Sequence, residues 1–402
     1  MNIIVQKYGG SSLSTPDKFL ALAREIAKRS ERDDRLVLVV SAMGDTTNNL
    51  VALVRELSSN PPAREMDMLL ASGEQVSIAL MAIALHKCGI DAISFTGSQV
   101  GIKTSPAHTR ARVTGVDTSK VGAELDKGRV VIVAGFQGVT ESNDVTTLGR
   151  GGSDISAVAL AVALGAQRLE KFTDRDGVFT ADPRIHPGAH RVPHLSYEEM
   201  LEMSHSGAKI LHPRSVFFAM KYGLPILVRK SLGHGAGTLI DKGERRMEEP
   251  LLSGVTHDAS VAKVSVYKVP DKPGMAYKIL KVLTDQEIPV DMIVQSTTES
   301  AVNDISFTIS KSDLNRAVEL LQAASGDVEG IEVRASPNVA LVSLVGLGIR
   351  TNAGIITRMF QALSEKQINI QMIATTDVRI SCIIDEASVE EAVRTIAQTF
   401  DL

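Results

Sequence analysis

Only two cysteines, Cys88 and Cys382, occur in 402 residues. They stand far apart and without partners at metal-ligand spacing, so neither a disulfide framework nor a zinc site is expected. A basic excess is missing as well. The 43 Lys and Arg face 47 Asp and Glu, giving a formal charge of −4, which argues against a general nucleic-acid binder. No apolar run is expected to reach the ~18 residues that suggest a membrane span. The N-terminal MNIIVQKYGG lacks the basic segment and long apolar core of a signal peptide. A cytoplasmic location is the expectation. What remains is the composition of a globular protein, 44% hydrophobic and 22% charged, in a chain long enough for two or three domains.

The first 230 residues alternate short apolar runs with longer amphipathic segments. NIIVQ, RLVLVVS, DAISFT, RVVIVAGF, RLEKFTD and LPILVRK have the character of buried strands. DKFLALAREIAKRS, EQVSIALMAIALHKCG and DISAVALAVALG have helical spacing and length. Strands alternating with helices imply an α/β fold with a mostly parallel central sheet between helices. SLGHGAGTLIDKGERRMEEP, rich in Gly and charge, marks a boundary over residues 231–250. Beyond it, one order of elements occurs twice, with Gly274 and Gly354 opening corresponding helices and QEIPVDMI and KQINIQMI leading out of them. An internal duplication of a small ββαβ-type α+β module explains this.

Three loops hold residues that suit an anion. VQKYGGSS runs from a strand through Gly9 and Gly10 towards a helix, with Lys7 at the strand end. Glycine lets backbone N–H groups approach a phosphate closely, and a helix N-terminus adds a favourable dipole. It is not a Walker loop, in which Lys follows the glycines. LGRGGSDI repeats the device, with Ser153 and Asp154 as cap candidates and Arg150 as a planar donor fork for a carboxylate or phosphate. FTDRDGVFTADPRIHPGA is dense in Asp, Gly and Pro after a strand, where open α/β sheets bind ligands. Taken singly, the Gly9–Gly10 stretch reads more readily as only a turn, and LGRGGSDI has a capped helix as its alternative, against which Arg150 stands; three such loops on one sheet point to a nucleotide site.

With VQKYGGSS, VVSAMGDTT, SGEQVS, TLGRGGSDISAVALA, FTDRDGVFTADPR and LSYEEMLEMSHSGAKILHPRSV in this order, the chain resembles the aspartate kinases of the amino acid kinase fold over essentially its whole length. The resemblance implies an amino acid kinase catalytic domain at 1–230 and a linker at 231–250. Two α+β ACT domains, at 251–335 and 336–402, would bind amino-acid effectors. The implied reaction is ATP + L-aspartate giving 4-phospho-L-aspartate and ADP, the first step towards lysine, threonine and methionine. Acetylglutamate and glutamate kinases share the fold but lack such paired ACT modules and the full SAMGDTT pattern. An amino-acid-sensing protein without activity is the rival of another class, and Lys7, Arg150 and Asp154 speak against it.

A substrate carboxylate is already ionised near neutral pH and needs no general base. It needs help approaching a polyanion, which explains why no Ser-His-Asp or Cys-His arrangement is required. The resemblance implies that Lys7 neutralises the transferring phosphoryl group along a path lined by Gly9 and Gly10, and that Asp154 orients Lys7. It gives Arg150 to the α-carboxylate of aspartate and Glu74 to its ammonium, with Ser41, Thr47 and Ser153 nearby. Phe136 is expected to close the pocket. For ATP it points to Thr173, Asp174, Phe179, Asp182, Arg184 and Lys209. Mg²⁺ should bridge the β- and γ-phosphates and keep several waters, so no metal-binding residue is assigned.

In the first ACT copy, Asp271, Gly274 and Ala276 match effector-binding positions, and Gln295 lies on the following strand. The second copy has no acid corresponding to Asp271, so Asn369 and Ile370 are expected to complete a shared site instead. A homo-oligomer through the ACT domains is implied, inhibited by threonine, lysine or both. Some kinases of this type add a short subunit started inside the same gene. Met247 stands where such a subunit would begin, and the preceding Lys-Gly-Glu can be encoded with the ribosome-binding core GGAG. An α₂β₂ assembly is therefore the alternative to a homo-oligomer.

Overall fold

The N-terminal runs do become strands, and the computed structural model describes them along with residues 2–30, 34–233, 235–243, 251–297, 302–324, 331–349 and 352–402. The elements in chain order are β1 (Ile3–Tyr8), α1 (Pro16–Ser30), β2 (Arg35–Val40), α2 (Thr46–Leu57), α3 (Ala63–Lys87), β3 (Ala92–Phe95), β4 (Ile102–Thr104), β5 (Val113–Val116) and α4 (Ser119–Asp126). There follow β6 (Val130–Ala134), β7 (Gln137–Val139), β8 (Val145–Thr147), α5 (Gly152–Ala163), β9 (Arg168–Thr173), β10 (His194–Ser196), α6 (Tyr197–His205), α7 (Pro213–Tyr222), β11 (Ile226–Lys230) and β12 (Thr238–Asp241).

Eight strands form one sheet in the order β10-β12-β11-β9-β1-β2-β6-β3. All its pairings are parallel except β11 with β12. Strands β1, β2 and β6 are buried on both faces, as Val/Ile/Leu-rich runs in a covered parallel sheet should be. β1 lies mid-sheet with β2 and β9 on either side, so its C-terminal end, where Lys7 stands, is enclosed. β12 falls within the expected linker of 231–250; Thr238 and Ile240 are buried in the main sheet, and the flanking glycines concealed a short strand. A second, four-stranded sheet, β5-β4-β7-β8, carries the segment leading to α5.

Helix α3 starts at Ala63, upstream of Glu74 where the periodicity begins. Buried Asp67 and Glu74 interrupt its apolar pattern and hid its first turns. By length and composition alone α3 is apolar enough to cross a membrane, but half of its most apolar stretch is buried inside the protein.

The chain divides into two compact units: Met1–Val178 with Arg191–Ser204 and Lys209–Arg245, and Phe179–His190 with His205–Ala208 and Arg246–Leu402. The second unit contains β13 (Leu251–Asp258), β14 (Val261–Pro270), α8 (Met275–Thr284), β15 (Ile293–Thr297), β16 (Val302–Ser310), α9 (Leu314–Ala324), β17 (Glu332–Ser336), β18 (Val339–Leu347), α10 (Ala353–Glu365), β19 (Met372–Thr375), β20 (Arg379–Asp385) and α11 (Val389–Thr399). Each module has two helices rather than the one of a ββαβ reading. The first sheet runs β15-β16-β14-β17 and the second β13-β18-β20-β19, with every pairing antiparallel. β13 precedes the first module in sequence but pairs with β18 of the second. Val255 draws it there by packing in the core with Val342, Ile380 and Ile396. Met247 lies outside the described residues.

Candidate active site

The N-terminal unit gathers four ionisable side chains under the cover of α5. Lys7 on β1 and Lys171 on β9 are register partners on adjacent parallel strands, so both project to the same face. Asp154, in the first turn of α5, reaches down between them. Its Oδ1 lies 2.8 Å from Lys7 Nζ and its Oδ2 accepts from Lys171 Nζ at 2.5 Å. The Lys7 approach is an ion pair off the hydrogen-bonding direction, which leaves Oδ1 without an aligned donor. All three residues are less than 9% exposed. Burial alone would push the Asp154 carboxyl up, but the two ammonium groups outweigh it and hold it well below the usual carboxylate range. Burial, with Lys7 adding repulsion and Asp154 opposing both, pushes Lys171 down to about 8.

Glu74 enters from α3. Its Oε1 accepts from the Ala42 N–H at 3.1 Å, while Oε2 is buried with no partner. Burial raises this carboxyl to about 7, against the pull of the Ala42 N–H and the Lys7 charge. An unpartnered buried acceptor of this kind suits a cationic ligand group. Gly73 lets α3 come this close: a Cβ there would meet that of Ala42 at 2.9 Å. Ser41, half-buried, donates its N–H to the Tyr8 carbonyl at the end of β1, and half-buried Thr47 lies in the first turn of α2. Gly9 places its backbone beside Lys7, with 3.8 Å between Nζ and a would-be Cβ. At Gly10 a Cβ would lie 2.6 Å from the Ala42 carbonyl, so the two loops pack backbone to backbone.

The glycines of LGRGGSDI have a more structural purpose than the sequence suggests. Gly151 has φ +69° and a Cβ there would strike His212 at 2.3 Å; at Gly152 it would strike Phe136 at 2.7 Å. Ser153 is pressed against Gly135 in the same way. Next to the loop, Asp67, missed in the sequence, accepts from the Thr109 N–H at 3.0 Å and Thr147 Oγ1 at 2.5 Å and pairs with His108 Nδ1 at 2.8 Å. Arg214 donates to the Leu148 carbonyl at 2.7 Å. Arg150 emerges from this loop exposed and without an ion pair among the described residues. Half-buried Phe136 adopts φ +69°, and its N–H donates to Ser156 Oγ at 3.0 Å.

Of the residues assigned to ATP, Thr173 ends β9 and Asp174 follows it, and the Thr173 hydroxyl donates to the Asp174 carboxylate at 2.9 Å. Lys209 belongs to the same unit and is exposed. Phe179, Asp182 and Arg184 fold with the second unit instead. There Ala181 and Ile185 pack into the core of α10 and α11, and Asp182 takes the Arg184 guanidinium at 2.5 Å, which holds its carboxyl below its ordinary range.

The first module of the second unit has a cavity of about 340 Å³ lined by Asp271, Gly274, Ala276, Gln295 and Asn303 among others. Gly274, at φ +90°, caps α8 with nothing within 4 Å of its would-be Cβ. Asn303, which sequence reasoning missed, is buried; its Nδ2 donates to Asp271 at 3.0 Å and its Oδ1 is unpartnered. In the second module, Asn352 Oδ1 accepts from the Gly354 N–H at 3.2 Å, so the corresponding helix end is capped from within. Asn369 is exposed and Ile370 half-buried before β19, and neither lines the cavity. No cluster of three or more His, Cys, Asp or Glu able to hold a metal occurs among the described residues.

The profile of the amino acid kinase family matches residues 2–230, and that of the ACT domain matches twice, over 267–324 and 342–400. An aspartate kinase of Stutzerimonas stutzeri is 44% identical over 403 residues, spanning 100% of this chain and 98% of its own length. An aspartokinase of Corynebacterium efficiens is 45% identical over 407 residues, 100% and 97% of the two chains. Among solved structures, an aspartate kinase from Synechocystis is 39% identical with a TM-score of 0.56, covering 100% of this chain and 69% of the other. The E. coli aspartokinase III complex with aspartate and ADP, 24% identical, has the same fold over the full length of both chains, with a TM-score of 0.85.

Proposed function

The chain belongs to the amino acid kinase family, with two ACT domains behind the kinase half, and on that premise we propose that it is an aspartate kinase. It transfers the γ-phosphate of ATP to the side-chain carboxylate of L-aspartate, opening the route to lysine, threonine and methionine. The observation that carries this reading is identity of 44–45% with aspartokinases over the entire chain, kinase half and ACT pair alike.

In the mechanism we propose, Lys7 draws the γ-phosphoryl group along the Gly9–Gly10 backbone, and the carboxylate nucleophile attacks in line. Charge that builds on the transferring group is met by a fixed ammonium in a site shielded from water, where it acts far more strongly than in solution. Asp154 fixes Lys7. Glu74 receives the substrate ammonium at its unpartnered Oε2, Arg150 takes the α-carboxylate, and Ser41, Thr47 and Ser153 line the remainder. Thr173, Asp174, Phe179, Asp182, Arg184 and Lys209 are assigned to ATP. Mg²⁺ would supply further charge neutralisation of the phosphates. The donor set suits a metal carried by the nucleotide and its waters, since both Asp154 oxygens face lysines rather than open space.

Regulation is assigned to the first module. The open N-terminus of α8 suits an effector carboxylate, Asp271 its ammonium, and Asn303 adds a buried carbonyl oxygen. Threonine, lysine or both are the effectors. Asn369 and Ile370 would complete the site from another copy in an oligomer formed through the ACT modules. A short chain beginning at Met247 would give an α₂β₂ assembly; intact mass spectrometry of the complex expressed from the native gene tests this, and a 43 kDa chain alone removes it. The activity itself is tested by trapping the acyl phosphate as a hydroxamate with L-aspartate, alongside ADP release. ATP turnover that no amino acid stimulates would overturn the reading.

A further inference from the structure

Lys171 is expensive to keep where it is. Its strand, RLEKFT, is buried through four consecutive residues, and an apolar side chain there would fill the space without the cost of burying an ammonium. We propose that Lys171 is a positioning residue for phosphoryl transfer, one that takes half of Asp154 so that Lys7 keeps its positive charge for the substrate. The proposal rests on the kinase reading and deepens it.

The argument is one of charge and register. With Lys7 alone against Asp154, the two would form a neutral pair, and a neutral pair attracts a phosphoryl group weakly. With Lys171 on Oδ2 at 2.5 Å and Lys7 at 2.8 Å from Oδ1, the cluster of two ammonium groups and one carboxylate has a net charge of +1. Lys7 is the member without an aligned hydrogen bond, since Oδ1 has no aligned donor. Its ammonium is thus anchored in place but not saturated. Lys171 donates to Asp154 Oδ2, is 8% exposed, and lies one strand further from the Gly9–Gly10 turn. It acts through Asp154 and Lys7.

Among the described residues, two charged groups act on Lys171. β1 contributes Lys7, α5 contributes Asp154, and on β11 its register partner is Val228. Its neighbours in sequence, Glu170 and Phe172, point to the opposite face, where Glu170 is engaged by Gln6 and Arg168. Lys171 loses its proton as pH rises through about 8. The cluster then falls from +1 to neutral, so kcat should decline over the same range.

The test uses the full chain and compares wild type with Lys171→Met and Lys171→Arg, measuring kcat, KM for aspartate and the pH profile of kcat. Lys171→Met should lose about 10- to 100-fold in kcat at pH 7 with KM changed less than about threefold, and should lack the alkaline limb. Lys171→Arg, which keeps its charge at high pH, should recover most of kcat and move the limb upward. A folded Lys171→Met enzyme with wild-type kcat, or with lowered kcat and an unchanged limb, overturns the proposal; a lower Tm alone would mark a purely structural ion pair. If neither variant folds, the wild type decides: a limb near pH 8 supports the role and a flat profile to pH 10 ends it. A wild type that phosphorylates no aspartate defeats the kinase reading itself, a distinct outcome.

Discussion

Replacing Glu74 by Gln tests the site through stability before any turnover is measured. Burial holds this carboxyl at about 7 against an ordinary value of 4.5. Between those values the folded protein keeps a proton that the unfolded chain has released. Stability therefore falls as pH rises through this window, by about 3 kcal/mol at 1.36 kcal/mol per pH unit. The contribution is fully present below pH 4.5 and gone above pH 7. In Glu74→Gln the side-chain oxygen can still accept from Ala42, and the new amide N–H₂ falls where Oε2 is unpartnered. That buried donor costs roughly 1–3 kcal/mol, but the cost does not change with pH. The sign of the offset at any single pH is thus uninformative, and its slope is the observable. Measured from pH 4.5 to 8 at constant ionic strength, the stability of Glu74→Gln relative to wild type should rise by about 3 kcal/mol. In thermal melts this is a differential of several degrees, at roughly 2–4 °C per kcal/mol for a unit of this size. Aspartate should stabilise the wild type at pH 8, where its ammonium meets an ionised Glu74, and should stabilise Glu74→Gln little. Two melting curves that stay parallel across the range would refute the assigned environment of Glu74; equal stabilisation of both proteins by aspartate would refute its role.

Lys7→Ala should lower kcat by roughly a hundredfold or more in a protein that melts normally, measured by ADP release. Arg150→Ala should chiefly raise KM for aspartate, because the exposed guanidinium is assigned to the carboxylate that does not react; an unchanged KM removes it from that role. Gly151→Ala should destabilise the kinase unit by roughly 2 kcal/mol or more in denaturant titration, since φ +69° is strained for Ala and its methyl would collide with His212. Asp271→Ala should relieve inhibition by threonine and lysine, tested singly and together, while leaving uninhibited turnover nearly intact.

What could be read from the chain beforehand follows from how local each signal is. The buried parallel strands announce themselves because both faces are covered and the runs are continuously apolar, as RVVIVAG and RLVLVV are. Motifs such as VQKYGG and LGRGGSD stand out because Gly beside Lys or Arg is a short-range pattern. The features that escaped depend on partners far away in sequence. Asp67 lies ahead of the helix as read from the sequence, and its tie is to Thr109, in a distant loop. β13 reads as part of the module that follows it, but its hydrogen bonds go to β18. Asn303 is one polar residue in an alternating strand until Asp271 is set beside it.

Lys171 makes the physical reason plainest. In sequence, RLEKFTD offers a lysine inside a strand, and a lysine at a strand end or edge needs no explanation. Its significance lies in the register of β9 on β1, which pairs Glu170 with Gln6, Lys171 with Lys7 and Phe172 with Tyr8. Those pairs are polar with polar, cation with cation and ring with ring, the last stacked at 4.7 Å. A slip of one residue would send Lys171 to the opposite face and away from Asp154. Two ammonium groups side by side repel, and that register would be disfavoured without the carboxylate that α5 lowers between them. The Gly151 turn sets the first turn of α5 at that height, and the collision a side chain there would make with His212 shows how tightly the turn is seated. Glycine loop, helix, carboxylate and lysine pair are therefore one device: the loop that looked like a phosphate cradle in the sequence also fixes the acid that lets two like charges share a sheet.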